Sequence, residues 1–149
     1  MVGSYRHGVD AKGRVALPAR LRGSLPEGSI VAKWTENRLV IWPPAEWDEL
    51  GRRLRSTLAG AELRRWERLL FASARTVELD GQGRMLIDAE HRRWAQVQDR
   101  CVFVGLGNRV EIVGEELWDA DEASMDPDHF SHLYDLATGA APAAATPTA

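Results

Sequence analysis

The stretch Asp10-Ala-Lys-Gly-Arg-Val-Ala-Leu-Pro-Ala19 is the key to this chain, because it occurs twice. The second copy is Asp80-Gly-Gln-Gly-Arg-Met-Leu-Ile-Asp-Ala89. A later pair keeps the same order: Asn37-Arg38-Leu-Val-Ile41 is matched by Asn108-Arg109-Val-Glu-Ile112. A repeat of this length indicates two similar folding units, in which a residue type kept in both copies does similar work.

The length and composition are those of a globular protein. The chain has 149 residues, of which 44% are hydrophobic, enough for one domain or two small ones. Cys101 is the only cysteine, which argues against disulfides and against a cysteine-ligated zinc. The first residues contain no apolar run of the kind found in signal peptides, and no later stretch suggests a membrane span. We therefore expect a cytoplasmic protein without a membrane partner.

Charge is distributed unevenly along the chain. The net charge is -3, yet residues 1–25 hold five basic side chains and only one acidic side chain. Residues 110–149 hold nine acidic side chains and no lysine or arginine. A basic body permits an anionic partner such as nucleic acid, but two solvated faces of opposite charge explain the same pattern equally well.

The residue pattern of each copy predicts a strand, an Asp/Gly turn, a second strand, a short helix and a β-hairpin. Between the copies, two amphipathic patterns predict a pair of helices. A further helix is expected from near Glu115, and the Ala/Pro/Thr-rich chain from Ala137 onward is expected to be disordered. The predicted strands and hairpins cover residues 5–9, 14–17, 29–42, 75–79, 84–87 and 100–113, the last with a tip at 105–107. The predicted helices cover residues 19–22, 46–58, 61–73 and 88–93.

The motif Asp-x-x-Gly-Arg is the strongest candidate for function. An aspartate that opens a turn can accept hydrogen bonds from backbone N–H groups two residues on, and glycine supplies a positive φ. The arginine then starts a strand, where its guanidinium can meet the aspartate or reach outward. A single copy is best explained as a turn braced by an exposed ion pair. Two copies in matching contexts make a functional role as plausible as a structural one.

These motifs resemble the MraZ family of bacterial transcriptional regulators. The resemblance rests on Tyr5, His7, the two Asp-x-x-Gly-Arg copies and the segment Val104-Gly-Leu-Gly-Asn-Arg-Val-Glu-Ile112, and it extends from about Gly3 to Trp118. It implies a mainly β fold with short helices (α+β), in which two pseudo-symmetric AbrB/SpoVT-like swapped-hairpin barrel units are joined by a helical connector. The implied units are residues 5–48 and 75–119, with the connector at 49–74 and an acidic, then Ala/Pro-rich and partly disordered tail at 120–149.

The resemblance also implies a function. Members of the family are cytoplasmic, nucleoid-associated DNA-binding regulators that form ring-shaped oligomers. They bind direct repeats in the promoter of the division and cell-wall gene cluster. For this chain we expect no cofactor and no metal. Carried over by motif, the residues implied to contact DNA are Arg14, Lys12, Arg6 and Arg84. The residues implied to shape the turns are Asp10, Gly13, Asp80 and Gly83.

The second copy departs from the family pattern in ways that reduce its expected affinity for DNA. Asp88 stands where the family usually has a proline, and an acidic residue near Arg84 lowers the local positive potential. Gln82 replaces the lysine found at position 12 of the first turn. We therefore expect the first motif to be the main DNA contact.

Two other function classes are open to test. An enzyme could use His7, Asp10 and His91 as an acid–base set, or Asp88 and Glu90 as paired carboxylates, and His129-x-x-His132 could begin a metal site. None of these has a recognised catalytic or metal-ligand spacing. The alternative in the same fold class is an antitoxin-like module that binds DNA and a protein. Two complete units in one chain argue against it, because such antitoxins usually carry one unit.

Overall fold

Strands and short helices alternate through both copies of the repeat, with two longer helices between the copies. The computed structural model describes residues 1–139. The strands in that part of the chain are β1 (Val2–Gly8), β2 (Arg14–Ala16), β3 (Ile30–Trp34), β4 (Arg38–Trp42), β5 (Arg75–Thr76), β6 (Arg84–Leu86), β7 (Arg100–Leu106) and β8 (Val110–Gly114). The helices there are α1 (Ala19–Arg22), α2 (Pro44–Thr57), α3 (Gly60–Ser73), α4 (Ala89–Trp94), α5 (Glu115–Ser124) and α6 (Pro127–Thr138).

The two copies interleave their strands. One antiparallel sheet has the order β1-β7-β8-β4-β3-β5, and β2 pairs with β6 in a second sheet. Strands of the first copy thus pair with strands of the second in four places: β1 with β7, β4 with β8, β3 with β5 and β2 with β6. The predicted α+β class of two related units with a helical connector is confirmed. The boundaries drawn at residues 5–48, 49–74, 75–119 and 120–149 stay a prediction.

Each copy contains a tight hairpin. In the first, Glu36 and Asn37 both have positive φ, of 58° and 57°, and Arg38 donates its N–H to the carbonyl of Thr35 at 3.2 Å. Two left-handed residues match the twist of the flanking strands. In the second, the tip is Gly107-Asn108 and not the predicted 105–107. The strand continues through Leu106 because β1 pairs with β7 along its whole length, from Gly8 to Val2.

The predicted strand over residues 75–79 is shorter in the structure. Only Arg75 and Thr76 join the ladder, opposite Val31 and Ile30. Val77 adds one more hydrogen bond to the carbonyl of Ser29 at 2.8 Å. The ladder stops there because β3 begins at Ile30, so residues beyond Val77 have no strand to pair with.

The core lies between the two sheets and contains side chains from both copies. Val15 and Met85 are equivalent in the repeat, lie opposite each other in the β2–β6 pair and are each 1% exposed. Burying each contributes about 1.5–3 kcal/mol. A smaller cluster beside α2 and α3 buries Trp42 and Leu70, with Trp47 packed at its edge. Leu50 of α2 and Leu70 of α3 therefore serve packing, whereas Trp66 of the same α3 stripe is 36% exposed.

The chain divides into two compact units, residues 1–115 and residues 116–149. In the described part, the second unit contains α6 and all of α5 except its first residue. The sequence predicted disorder from Ala137, but α6 continues to Thr138 and ends at Gly139, a left-handed C-cap with φ 70°. The low-complexity residues 140–149 of that prediction lie outside the described residues. None of the helices in residues 1–139 is long and apolar enough to cross a membrane.

Candidate nucleic-acid interface

The first Asp-x-x-Gly-Arg motif forms a turn held by one carboxylate. Asp10 accepts hydrogen bonds at Oδ1 from the backbone N–H groups of Lys12 and Arg14, each at 2.9 Å. Its Oδ2 accepts from Arg14 Nε at 2.8 Å. Gly13, with φ 88°, closes the turn by donating its N–H to the carbonyl of Asp10 at 2.9 Å. The turn therefore fixes where the arginine side chain begins.

The second motif has the same geometry. Asp80 accepts from the N–H groups of Gln82 at 2.9 Å and Arg84 at 3.0 Å, and from Arg84 Nε at 2.8 Å. Gly83 has φ 76° and donates to the carbonyl of Asp80 at 3.0 Å. The contacts that the residue types predict for this turn are thus present in both copies.

Strand pairing brings the two turns together. In the β2–β6 pair, Arg14 lies opposite Leu86 and Ala16 opposite Arg84. Beyond the strands, Ile87 donates its N–H to the carbonyl of Gly13 at 2.8 Å. The matching bond in the other direction runs from Leu17 N–H to the carbonyl of Gly83 at 3.1 Å. Asp10 and Asp80 are 70 positions apart in the sequence. The two motifs nevertheless form one paired site with approximate two-fold symmetry.

The two arginines of the site are not equivalent. Arg84 has two carboxylates near it, because its Nη1 also lies 3.8 Å from Oδ2 of Asp10. In the described part of the chain Arg14 pairs with Asp10 alone, and its side chain is 38% exposed, against 29% for Arg84. Within residues 1–139 the Nη groups of Arg14 make no hydrogen bond. The Nη groups of Arg84 make no hydrogen bond there either, so the two arginines differ in their exposure and in the number of carboxylates near them.

Both aspartates are held in the charged form. The backbone N–H of Arg14, followed by its guanidinium and the N–H of Lys12, lowers the pKa of Asp10 to about 2. The backbone N–H of Arg84 is the main cause of the lowered pKa of Asp80. The ion pairs of the site therefore persist throughout the neutral and mildly acidic range.

A second pair of arginines locks the turns, and the sequence interpretation missed it. Arg22 donates from Nη2 to the carbonyl of Leu17 at 2.8 Å and covers Gly83, where an added Cβ would lie 2.7 Å from that nitrogen. Arg92 does the equivalent in the other copy, donating from Nη1 to the carbonyl of Ile87 and covering Gly13. The sequence signal that could have identified Arg22 and Arg92 is that they occupy equivalent positions in the two copies of the repeat.

The other two predicted DNA contacts lie in different surroundings. Lys12 is exposed at the tip of the first turn, beside Arg14. Arg6 lies on β1 opposite Val102, with Nη1 3.7 Å from a carboxylate oxygen of Glu115. The positive charge of Arg6 is thus partly compensated. The assignment of DNA contact to Arg14, Lys12, Arg6 and Arg84 stays a prediction.

The side chains considered for catalysis have structural partners. His91 is buried and its Nε2 lies 2.7 Å from the carbonyl oxygen of Ser73. His7 contacts the ring of Phe103 edge-on, with centroids 6.0 Å apart. Asp88 caps α4 by accepting from the N–H of His91 at 2.9 Å.

The remaining carboxylates and histidines considered for catalysis or metal binding all lie within residues 1–139. Asp88 also pairs with Arg75 at 3.3 Å, and Glu90 pairs with Lys33 at 2.8 Å. Among the described residues, no group of three potential ligands could hold a metal ion, and His129 and His132 lie on α6 without a third ligand. Asp88, the acidic residue expected near Arg84, has Arg75 as its ion-pair partner.

Interleaved copies with paired Asp-x-x-Gly-Arg turns define a tandem-repeat α+β protein. A family model described as "MraZ protein, putative antitoxin-like" matches the chain twice, at residues 1–68 and 70–135. A "Transcriptional regulator MraZ" from Symbiobacterium thermophilum is 41% identical over 118 residues, which cover 78% of this chain and 86% of that protein. The chain belongs to the MraZ family of transcriptional regulators, which is not an enzyme family.

Other relatives carry the same name. The protein from Roseiflexus castenholzii is 37% identical over 126 residues, covering 84% of this chain and 88% of its own length. The protein from Thermoanaerobacter sp. (strain X514) is 34% identical over 140 residues, covering 91% and 98%. The similarity therefore includes both copies of the repeat and most of the acidic C-terminal part.

Proposed function

We propose that the chain represses transcription by binding double-stranded DNA through its paired turns. The observation that carries this proposal is the state of Arg14, which is anchored at Nε by Asp10 while its Nη groups remain available. An arginine held in this way can donate two parallel hydrogen bonds to a guanine edge in the major groove. Lys12 at the turn tip supplies a contact to phosphate, which sets position.

The proposed targets are direct repeats in the promoter of the division and cell-wall gene cluster, where bound protein blocks transcription. One subunit offers few cations, so its binding to a single site is weak and sensitive to salt. A homo-oligomer, proposed to be a ring, presents several copies at fixed spacing and converts weak contacts into avidity. Head-to-tail contacts repeat one orientation, which matches direct repeats rather than palindromes. We place this activity in the cytoplasm, at the nucleoid.

The antitoxin-like description of the family supports a second candidate function, that of a module that binds DNA and a partner protein. Both candidates use the paired turns for DNA. They differ in what happens at the promoter: a regulator acts without a partner, and an antitoxin needs its toxin.

Fluorescence anisotropy with DNA from upstream of the protein's own gene tests the proposal. We expect the wild type to prefer this fragment over scrambled DNA, and Arg14→Ala to lose about 1–3 kcal/mol of that preference, roughly 5- to 150-fold. Arg84→Ala should lose less, because its side chain is shared between two carboxylates. The control is Arg64→Ala, an exposed arginine of α3, which should leave the preference unchanged.

Salt dependence separates base contacts from phosphate contacts. Removing one phosphate contact, as expected for Lys12→Ala, reduces the slope of log affinity against log salt by about 0.9 and weakens binding to all sequences alike. If wild type and Arg14→Ala both bind promoter DNA no better than scrambled DNA, the turns have only a structural role and the proposal is wrong.

A further inference from the structure

A groove lined by three tryptophans lies between the first hairpin, α3 and α4. Its volume is about 490 Å³, and its walls include Trp34, Trp66, Trp94, Leu69 and Leu70. Leu69 is 61% exposed and Trp94 is 37% exposed. We call this surface the tryptophan groove. Its size lies within the range of about 300–1,000 Å³ that is typical of pockets for small molecules.

The walls of the groove are held in place by hydrogen bonds. The indole N–H of Trp94 donates to the carbonyls of Trp34 at 3.0 Å and Arg38 at 2.9 Å. Asn37 Nδ2 donates to the carbonyl of Trp94 at 3.1 Å. The rings of Trp34 and Trp66 are in contact, with centroids 6.1 Å apart and planes inclined at 54°. A ligand that enters the groove therefore does not have to order these side chains first.

The aromatic rings of the groove are suited to a positive charge. Indole binds cations best among the aromatic side chains, because its π electrons make both faces of the ring negative. One of the three rings already has a cation near it, since Lys33 Nζ lies 5.3 Å from the centroid of the Trp94 ring. No lysine or arginine of residues 1–139 lies over the rings of Trp34 or Trp66. The exposed parts of these two rings are therefore available to a cation from outside the chain.

The lysine of the groove does not make it positive. Lys33 Nζ pairs with Glu90 Oε1 at 2.8 Å. Glu90 also pairs with Arg75 at 3.2 Å, and Arg75 pairs with Asp88 at 3.3 Å. These two cations and two carboxylates balance one another, so the network has no net charge. The charged residues that line the groove are Lys33 and Glu36, and the charge that remains is that of Glu36.

Glu36 lies at the tip of the first hairpin with its backbone in the left-handed region, at φ 58°. Residues other than glycine that are held in this region concentrate at functional sites and ligand clamps. The neighbouring Arg38 donates to the backbone carbonyl of Glu36 at 2.6 Å and has Glu111 as an ion-pair partner at 3.9 Å. Within residues 1–139 the Glu36 carboxylate itself has no ion pair. On α3, Glu62 and Arg65 lie one turn before residues that line the groove, and their charges are opposite.

We propose that the tryptophan groove binds a small organic cation with an apolar body, of the class of quaternary and alkylated ammonium compounds. The ammonium group lies against the indole rings beside Glu36, and the apolar body lies against Leu69 and Leu70. Aromatic cages recognise quaternary ammonium groups through the same attraction. The occupant is a free molecule, because the groove has the volume of a small-ligand pocket. This inference goes beyond DNA binding and does not depend on it.

The test compares two ligands that have the same shape and differ in charge. They are para-hydroxyphenyltrimethylammonium, a cation, and para-tert-butylphenol, in which carbon replaces the nitrogen. Ligand-observed NMR titration of the purified full-length protein gives both dissociation constants. We expect the cation to bind about 2- to 30-fold more tightly, the range from an exposed to a desolvated cation–π contact. The ratio of the two constants is the readout, since damage to the fold weakens both ligands alike.

Variants of the groove should lower this ratio. Glu36→Gln removes the carboxylate, keeps the shape and should lower the ratio about 2- to 5-fold. Glu27→Gln changes an exposed carboxylate at the other end of β3 and is the matched control, which should leave the ratio unchanged. Leu69→Lys adds a cation at an exposed position and should lower the ratio, whereas Leu69→Gln, of similar length and without charge, should not. Trp66→Leu removes one ring and should lower it about 2- to 5-fold.

Three results would overturn the proposal. Equal affinity of wild type for the two ligands means that the groove accepts apolar molecules regardless of charge. Binding of neither ligand means that it is not a site for this class of molecule. A preference for the cation that keeps its wild-type value in Glu36→Gln, Leu69→Lys and Trp66→Leu means that the cation binds elsewhere on the chain. None of these results changes the DNA experiment with Arg14→Ala, which tests the proposed function separately.

Discussion

Replacing Gly13 by alanine should destabilise the protein far more than the same change at Gly81 in the second turn. Gly13 has φ 88°, in a region that side chains disfavour. A Cβ at this position would lie 2.5 Å from the backbone carbonyl oxygen of Ile87, and it would also overlap the guanidinium of Arg92. Because the carbonyl belongs to the backbone, it cannot move aside without breaking the pairing of the two turns.

The magnitude follows from these contacts. A positive φ costs an L-residue about 1–2 kcal/mol. Losing or lengthening the hydrogen bond from Ile87 N–H to the carbonyl of Gly13 costs about 0.5–1.5 kcal/mol more. We therefore expect Gly13→Ala to lower the free energy of unfolding by about 1.5–3.5 kcal/mol. Gly83→Ala should cost about 1–2 kcal/mol for the positive φ, because the atoms nearest to a Cβ there belong to the end of the Arg22 side chain, which can shift more readily than backbone.

Urea unfolding at one fixed protein concentration measures these differences. The control is Gly81→Ala in the second turn, where φ is not in the left-handed region and an added Cβ meets no atom within 4 Å. Its free energy of unfolding should stay within about 0.5 kcal/mol of wild type. If Gly13→Ala and Gly81→Ala unfold at the same urea concentration, the close packing of the paired turns does not contribute to stability and the reasoning is refuted.

Two further changes probe the paired turns and the hydrogen bonds of Trp94. Because the folded-state pKa of Asp10 is lowered from 3.8 to about 2, its carboxylate contributes stability that is complete above about pH 4 and is lost as the pH falls toward 2. Asp10→Asn should therefore lose less stability than wild type over that window in an acid titration followed by circular dichroism; parallel curves would contradict this. Trp94→Phe removes the donor to the carbonyls of Trp34 and Arg38 and should lower the free energy of unfolding by about 1–2 kcal/mol in urea, whereas an unchanged midpoint would show that water replaces both bonds.

Local structure was predictable from the sequence where neighbouring residues determine it. The turn at Asp10 depends on an aspartate, a glycine and an arginine within five positions, and the same residues recur at Asp80. The cap of α4 by Asp88 follows from the same kind of short-range hydrogen bond. The connector helices followed from their apolar periodicity.

The pairing of the two turns was not predictable in the same way, because it depends on strands far apart in sequence. Repetition showed that the copies are alike, but not that β2 pairs with β6. Arg6 was grouped with the motif because it lies four residues before Asp10, whereas the structure places it beside Glu115. Helix α6 was missed although Asp126-Pro127 and Gly139 are cap signals, since composition alone was considered there.

The differences between the copies give the paired site a direction. Two identical turns related by a two-fold axis would present the same groups to both strands of DNA and would suit a palindrome. Here one turn carries Lys12 and an arginine with a single carboxylate partner, while the other carries Gln82 and Arg84 between two carboxylates. In the proposed function, a site whose DNA contacts are stronger on one side distinguishes the orientation of its DNA. If the copies associate head-to-tail as proposed, each reads one direction, and the proposed operators must have elements that all point the same way, which is the property of a direct repeat.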